Sequence, residues 1–164
     1  MPLLLRIIRK SKWYKHPEVK WLGDDELQAD ALADIATSNN SLSVWEIADN
    51  RTNLDPVIAA LAAMRGTTAN VDFALLTLTA VQKKSIQITE TTGTTFDEQV
   101  NTLHRELTEL SAAKLLALAQ IIQHLPKRER LKEPDVIGLI QAAVDAGRIK
   151  RDLLSQSIKN KLRN

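Results

Sequence analysis

The sequence predicts an α+β fold, or a small α/β fold, with a β-α-β-β sheet core at about residues 41–90. Three observations lead to this prediction. Residues 41–47 alternate along the chain and are rich in β-branched and aromatic side chains, which is typical of a strand. An Ala-rich segment with an apolar stripe follows, and then two more strand-like segments. The C-terminal half has mainly helical periodicity, and a further helix is expected to flank the core on its N-terminal side.

The core elements are bounded by local signals. Asp55 can cap a helix, and Pro56 fits its first position because no N–H is needed there. Gly66 is expected to end that helix in a left-handed conformation. Residues 71–81 form an apolar run that predicts a strand buried on both faces, and residues 85–89 predict a third strand. If the first two strands were parallel neighbours, their connection would be right-handed.

Composition favours one compact domain of the ordinary globular kind, with 44% hydrophobic and 26% charged residues. Within it we expect an α/β core with a basic N-terminal arm and a long helix over residues 1–125, and a packed helical pair over residues 126–164. The chain has no cysteine, which excludes disulfides and thiolate chemistry. The apolar cluster at residues 3–8 is too short for a membrane span or signal peptide, so we expect a cytoplasmic protein without membrane insertion.

Charge is distributed unevenly along the chain. Residues 1–20 carry a net charge of +5, residues 21–110 carry −9, and residues 111–164 carry +6. Basic ends of this kind can bind a polyanion, or they can pack against the acidic middle of the same chain. The second interpretation is the one we favour.

The N-terminal segment 2–14 is predicted to be a short amphipathic helix or an edge strand. Its basic residues alternate with aromatic ones, as in arms that bind phosphates and stack on bases. The alternative is that Trp13 and Trp21 are core anchors beside solvated lysines. The candidate polyanion-binding residues are Arg9, Lys10, Lys12, Trp13, Lys15, Lys127, Arg128, Arg130, Lys159 and Lys161.

A helix is predicted at residues 24–37, and Glu26, Asp30 and Asp34 form an acidic stripe on it. Like charges at this spacing repel by a few tenths of a kcal/mol in isolation. We therefore expect the stripe to have a positively charged partner, which could be a basic segment of this chain, a basic protein or a cation. Otherwise it is a solvated helix face.

A second helix is predicted after a capping box formed by Thr95 and Glu98. Its apolar residues follow a heptad-like 4-3-4-3 spacing: Phe96, Val100, Leu103, Leu107 and Leu110. Leu103 and Leu107 are candidate protein-binding residues if this seam is exposed, and ordinary core if they pack on the sheet. We expect a bend or break of the helix near Ser111.

The C-terminal part begins with a basic connector at residues 126–134. Pro134 is expected to start a helix that ends at Gly147. A last helix is predicted over residues 149–162, with four buried residues: Ile149, Leu153, Ile158 and Leu162.

The sequence contains no recognisable catalytic or cofactor-binding motif. The histidines, His16, His104 and His124, have no metal-binding spacing, and there is no Walker A, GxGxxG or GxSxG pattern. We therefore predict no catalytic residue, no metal and no cofactor. Segments 29–35 (ADALADI) and 42–45 (LSVW) resemble motifs of uncharacterised bacterial proteins, which implies no particular activity.

Three functional hypotheses follow. The favoured one is a non-enzymatic protein-interaction module, or an accessory subunit of a bacterial-type intracellular system, that binds a protein partner or a second copy of itself. The first alternative is a nucleic-acid-binding domain that uses both basic ends, and the second is an enzyme with dispersed catalytic residues. A pocket that joins His104 or His16 to carboxylates would favour the enzyme, whereas Trp45 is expected to be a core anchor.

Overall fold

The computed structural model describes residues 1–14, 18, 20–23 and 26–163, and these residues form an α+β fold, as predicted. Within them the strands are β1 Leu3–Ile8, β2 Leu42–Ile47, β3 Val71–Thr77, β4 Gln87–Glu90, β5 His104–Thr108 and β6 Glu129–Leu131. The α-helices are α1 Ala29–Asp34, α2 Leu54–Ala63, α3 Leu78–Gln82, α4 Glu98–Asn101, α5 Ala112–Gln123, α6 Glu133–Asp145 and α7 Gln156–Lys159. Short 3₁₀ turns cover Lys10–Lys12 and Arg151–Leu153.

Strand β1 lies inside the sheet, whose strand order is β4-β5-β2-β1-β3-β6 with every neighbouring pair antiparallel. Of the two alternatives predicted for residues 2–14, a strand is confirmed at residues 3–8, but the expectation that it lies at the edge of the sheet is wrong. The sequence LLLRII is apolar on both sides of a strand, which suits a position covered on both faces. Leu4 and Leu5 point to opposite faces, and both are fully buried.

Strands β2 and β3 run in the same direction, but they are not neighbours, because β1 pairs with both. The order β-α-β-β along the chain is confirmed, with α3 inserted before the last strand. The apolar run at 71–81 is thus a strand only as far as Thr77, and α3 follows it. The third predicted strand lies at Gln87–Glu90.

Helices cover the sheet in two layers, each with its own core. Helices α2, α4, α6 and α7 pack on the side that we call the α2 face, where they bury Leu5 and Phe73. Helices α1, α3 and α5 pack on the opposite side, the α5 face, together with Leu4 and Trp13. Among the described residues, β4 and β5 contribute no side chain to the buried cluster of the α2 face. This face is therefore left open beside β5.

The long amphipathic helix predicted from Phe96 is wrong. Helix α4 spans only Glu98–Asn101, and β5 follows at His104–Thr108. The predicted capping box is replaced by Asp97, whose carboxylate accepts hydrogen bonds from the N–H groups of Gln99 and Val100. A new helix does begin where the break was expected, because the Ser111 hydroxyl caps the start of α5, but the element before it is strand β5 and not a helix.

Other helix boundaries also differ from expectation. The helix predicted at 24–37 is limited to α1, and residues 24 and 25 lie outside the described residues. Helix α2 begins at Leu54, so Asp55 lies in its first turn instead of capping it. The glycine with positive φ is Gly147, at 70°, as expected after α6, whereas Gly66 has no positive φ.

The C-terminal segment adds β6 to the sheet and α6 and α7 to the α2 face. The single helix predicted at 149–162 is instead a 3₁₀ turn followed by α7. Ile149, Ile158 and Leu162 are buried as predicted, but Leu153 is 48% exposed and Leu154 fills the core in its place.

Candidate ligand-binding groove

The acidic stripe on α1 is paired with the basic N-terminal arm of the same chain. Asp34 accepts hydrogen bonds from the backbone N–H of Arg9 at 2.7 Å, from Arg9 Nε at 2.8 Å and from Trp13 Nε1 at 2.8 Å. Lys12 Nζ lies 2.6 Å from an Asp30 oxygen. Glu26 is exposed and accepts a hydrogen bond from the backbone N–H of Gly23. Of the partners considered for the stripe, the structure thus supplies a basic segment of this chain.

The electrostatic effect of these contacts is clearest at Asp34. Burial of its carboxyl group opposes ionisation, but the hydrogen bonds from Arg9 and Trp13 outweigh that effect and lower the pKa of Asp34. Trp13 itself is 1% exposed, so it is a core anchor and not a stacking platform. Trp21, in contrast, is 78% exposed.

The basic connector meets the N-terminal arm at one end of the sheet. Arg130 forms two hydrogen bonds with the carboxylate of Asp72, at 2.6 and 2.9 Å. The Tyr14 ring lies 5.3 Å from Lys10 Nζ and 5.4 Å from the Arg128 guanidinium. Arg128 also donates to the carbonyl oxygens at the C-terminal end of α5, where a cation is favourable. Lys127 is exposed, and Lys15 lies outside the described residues.

The C-terminal cations Lys159 and Lys161 also have partners in the same chain. Lys161 pairs with Glu133, and Lys159 Nζ donates to the backbone oxygen of Asp152 at 3.0 Å. Their helix packs on the α2 face, whereas Trp13 and the arm pack on the α5 face. Within the described residues, several cations of the two basic ends are thus paired with carboxylates of the same chain.

Leu103 and Leu107 pack against the cores on opposite faces of the sheet. Leu107 is fully buried on the α5 face, and Leu103 packs against the core of the α2 face. Neither belongs to an exposed helical seam.

An open groove occupies the α2 face beside β5, with a volume of about 410 Å³. Its floor comes from β2 and β5, one wall from the C-terminal end of α2, and the other wall from the loop after β4. The lining residues are Ser43, Trp45, Leu61, Met64, Thr92, Gly93, Thr94, Thr95, His104 and Glu106.

Trp45 and His104 form the floor because they are direct partners in the register of β2 and β5. Their ring centroids lie 4.9 Å apart with an interplanar angle of 61°, an edge-to-face contact. The buried Nε1–H of Trp45 has no hydrogen-bond acceptor within the described part of the chain. Trp45 does pack against the core, as expected, but it also lines the groove.

His104 is held in one orientation. Its Nδ1 and the Thr91 hydroxyl share a hydrogen bond of 2.7 Å, and the residue is 7% exposed. Burial lowers the pKa of His104, an effect that Arg105 reinforces and Glu106 partly opposes. The imidazole is therefore neutral at pH 7.

The loop that forms the outer wall is fixed by a close approach to α4. A Cβ atom added to Gly93 would lie 3.0 Å from Asn101 Oδ1 and 3.3 Å from His104 Cβ, so glycine permits this packing. Asn101 Oδ1 accepts hydrogen bonds from the backbone N–H and the hydroxyl of Thr95. The loop that carries Thr92, Thr94 and Thr95 is thus held in place by hydrogen bonds and close packing.

Glu106 supplies the one formal charge among the described residues that line the groove. It lies two residues beyond His104 on β5, is half-buried and faces the same side of the sheet. No salt bridge or side-chain hydrogen bond joins its carboxylate to another described residue. On the opposite face, Glu46 is paired with Arg105 at 2.9 Å. Among the described residues, Glu106 therefore has no cationic partner.

The groove brings a histidine and a carboxylate together, which the enzyme hypothesis requires. However, Thr91, the hydroxyl that pairs with His104, does not line the groove. The hydrogen bond between them thus orients the imidazole and does not present a nucleophile to a substrate. No group of three or more potential metal ligands occurs within the described ranges. The arrangement is suited to binding.

Sequence reasoning did not find this groove. Trp45 and His104 are 59 positions apart in the sequence, and only the register of β2 and β5 makes them neighbours. The available signal was the alternation of His104, Glu106 and Thr108 with Arg105 and Leu107. That alternation indicates a strand with one polar face.

The chain matches no protein-family model, no curated protein and no solved structure. None of the helices within the described residues is long and apolar enough to cross a membrane.

Proposed function

We propose that the protein is a non-enzymatic protein-interaction module, and that its groove binds a Lys or Arg side chain on a segment of a partner protein. The observation that carries this proposal is the half-buried carboxylate of Glu106, which pairs with no described cation and is the one formal charge among the described residues that line the groove. A carboxylate removed from water without a partner is destabilising, and a cation from a ligand would relieve that cost.

The floor of the groove suits a cation as well. A guanidinium or ammonium group over a tryptophan ring gains about 0.5–2 kcal/mol, depending on how far it is desolvated. The neutral imidazole of His104 does not repel such a group at pH 7, because burial lowers its pKa. Trp45, His104 and Glu106 thus offer two ring surfaces and one negative charge to the same ligand.

The walls suit the rest of a long basic side chain. Met64 is 45% exposed and Leu61 is half-buried, so the end of α2 offers apolar surface to an aliphatic stem. The threonine hydroxyls opposite can accept or donate hydrogen bonds to a peptide backbone. A volume of about 410 Å³ lies at the lower end of the range for small-molecule sites, and it suits one or two side chains.

The charge of the surrounding chain favours the same partner. The groove is built from residues 43–106, within the acidic segment 21–110, although Asp30, Asp34 and Asp72 of that segment are paired with basic residues outside the groove. The one formal charge among its described lining residues is negative, and a negative potential increases the rate at which a basic segment associates. The partner therefore differs from the basic arm of this chain, which is already paired with α1.

A random peptide library displayed on phage tests the proposal, with the intact protein as target. We expect selected peptides to share a Lys or Arg, and a synthetic peptide from that set to lose affinity when this residue is replaced by Gln. Glu106→Gln should weaken binding of the peptide about tenfold or more, since a charge-assisted hydrogen bond contributes roughly 1.5–3 kcal/mol.

Glu98→Gln is the matched control, because Glu98 is also a glutamate of the acidic middle segment but lies outside the groove. It should bind the peptide like the wild type. Selected peptides without a shared basic residue, or equal affinities of the wild type and Glu106→Gln, would contradict the proposal.

A further inference from the structure

The outer edge of β4 presents backbone groups that no other described strand covers. β4 ends the sheet and pairs only with β5. The backbone N–H of Thr91 points inward, since it donates to the His104 oxygen at 3.4 Å. In an antiparallel pair this direction alternates along the strand, so the N–H and C=O groups of Ile88 and Glu90 point away from the sheet.

This edge is short, with four residues, but it lacks lysine and proline, two of the features that commonly prevent strand addition. β4 has the sequence QITE and contains no lysine and no proline, and its Gln87 and Thr89 side chains are exposed. The opposite edge, β6, is shorter, and its Glu129 and Arg130 form ion pairs with residues of this chain. Of the two edges, β4 is therefore the one open to another strand.

The surface next to β4 has room for side chains of an added chain. A depression of about 340 Å³ lies along the strand, lined by Gln82 and residues 85–88. A second depression of about 450 Å³ lies beside it, between Lys84 and the end of α5, and includes the partly buried Ile121. The interface available here thus extends beyond the backbone of one strand.

The charges at the two ends of β4 are complementary to each other. Lys83 and Lys84 precede the strand, are exposed and form no ion pair with any residue that the structure describes. Glu90 ends the strand; its side chain is 86% exposed, and its nearest cation is Arg105 at 3.7 Å. An antiparallel copy of β4 would bring Glu90 of one chain toward the end of the strand that the lysines of the other chain precede, whereas a parallel copy would place like charges at the same end.

We propose that two copies of this chain pair through β4, antiparallel about a twofold axis, so that their sheets become continuous. Such an interface is isologous, and the same contact occurs twice. The proposal does not depend on the groove, because the groove lies on the α2 face and its lining includes no residue of β4.

Sedimentation velocity over a micromolar concentration series tests the proposal. The wild type should sediment as a concentration-dependent dimer. Glu90→Lys should raise the dissociation constant of the dimer about tenfold or more, because it places like charges together at two symmetric contacts. The combined variant Lys83→Glu/Lys84→Glu/Glu90→Lys should restore the wild-type affinity.

Glu98→Lys makes the same charge change away from β4 and should leave the dimer unaffected. Circular dichroism and thermal melting of each variant show that the fold is retained, since all these side chains are exposed. A wild type that is monomeric at every concentration, or a dimer that Glu90→Lys does not weaken, would overturn the proposal.

Discussion

The carboxylate of Asp34 accepts a hydrogen bond from the indole Nε1–H of Trp13 at 2.8 Å, and this contact joins helix α1 to the N-terminal arm. The Asp34 side chain is 4% exposed, and two more hydrogen bonds come from Arg9. Trp13 can be fully buried because its polar atom has this acceptor. The acidic stripe and the basic arm, which are separate features in the sequence, thus form one structural unit.

Replacing Asp34 with Asn should lower the free energy of unfolding by about 1–3 kcal/mol, because one amide oxygen cannot accept hydrogen bonds from buried Trp13 Nε1 and from both Arg9 donors at once. Urea denaturation followed by circular dichroism measures the change. Asp30→Asn is the control, since Asp30 is exposed and makes one contact with Lys12. If both variants lost equal stability, the hydrogen bonds of Asp34 with Trp13 and Arg9 would not stabilise the fold more than the exposed contact of Asp30 does.

His104 should titrate below the ordinary histidine pKa of about 6.5, because burial disfavours its charged form. The unfolded chain then binds a proton that the folded chain does not. The free energy of unfolding should therefore fall as the pH decreases through the ordinary histidine pKa of about 6.5, and this loss is absent well above that pH. NMR titration of the Cε1–H resonance, assigned with His104→Gln, measures the pKa.

The His104→Gln variant should also lose this part of the pH dependence of stability. Glu106→Gln should lower the pKa of His104 further, since the Glu106 carboxylate partly opposes the effect of burial. A His104 pKa at or above 6.5 would show that the imidazole is not held as described.

Leu5→Ala should destabilise the fold by about 2–5 kcal/mol, because it leaves a cavity beneath α2 in the middle of the sheet. Leu153→Ala should change stability by no more than about 0.5 kcal/mol, since Leu153 is 48% exposed. Chemical denaturation of both variants distinguishes β1 as an interior strand from the edge strand that the sequence suggested. A small effect of Leu5→Ala would contradict the interior position.

Gly147→Ala should cost about 1–2 kcal/mol, because Gly147 has φ of 70° and an L side chain is strained there. Gly66→Ala should be neutral or stabilise the protein by up to about 1 kcal/mol, since no atom lies within 4 Å of its added Cβ and its φ is not positive. Thermal melting measures both changes. Equal destabilisation by both substitutions would contradict the conformations at these helix ends.

Elements with strong local signals could be predicted from the sequence. Residues 42–47 alternate cleanly, and α6 carries Pro near its start and Gly147 after its end, so β2 and α6 were located correctly. Residues 96–110 could not be assigned correctly. The 4-3-4-3 spacing of their apolar residues fits a helix, but Leu107 and its neighbours also fit the alternation of a strand. Tertiary pairing with β2 and β4 decides in favour of the strand.

The features that could not be predicted from the sequence depend on pairing between residues far apart in the chain. The interior position of β1 depends on two partner strands whose paired residues are 40 or more positions away, as for Leu5 and Trp45, and no local pattern specifies such pairs. The groove also depends on long-range pairing, because the pairing of β2 with β5 places Trp45 next to His104. Asp34 could be recognised as a charge that needs a partner, but its partner became evident only when Arg9 and Trp13 were placed beside α1.

The proposal that the groove binds a basic side chain is tested most directly by the indole N–H resonances of ¹⁵N-labelled protein. The chain has three tryptophans, so three indole signals are expected, and Trp45→Phe identifies the one in the groove. Titration with an arginine-containing peptide from the library should shift the Trp45 signal and leave that of buried Trp13 in place. The Glu106→Gln variant should need about tenfold more peptide for the same shift. A Trp45 signal that stays unchanged at saturation, or equal titrations of the two proteins, would contradict the account.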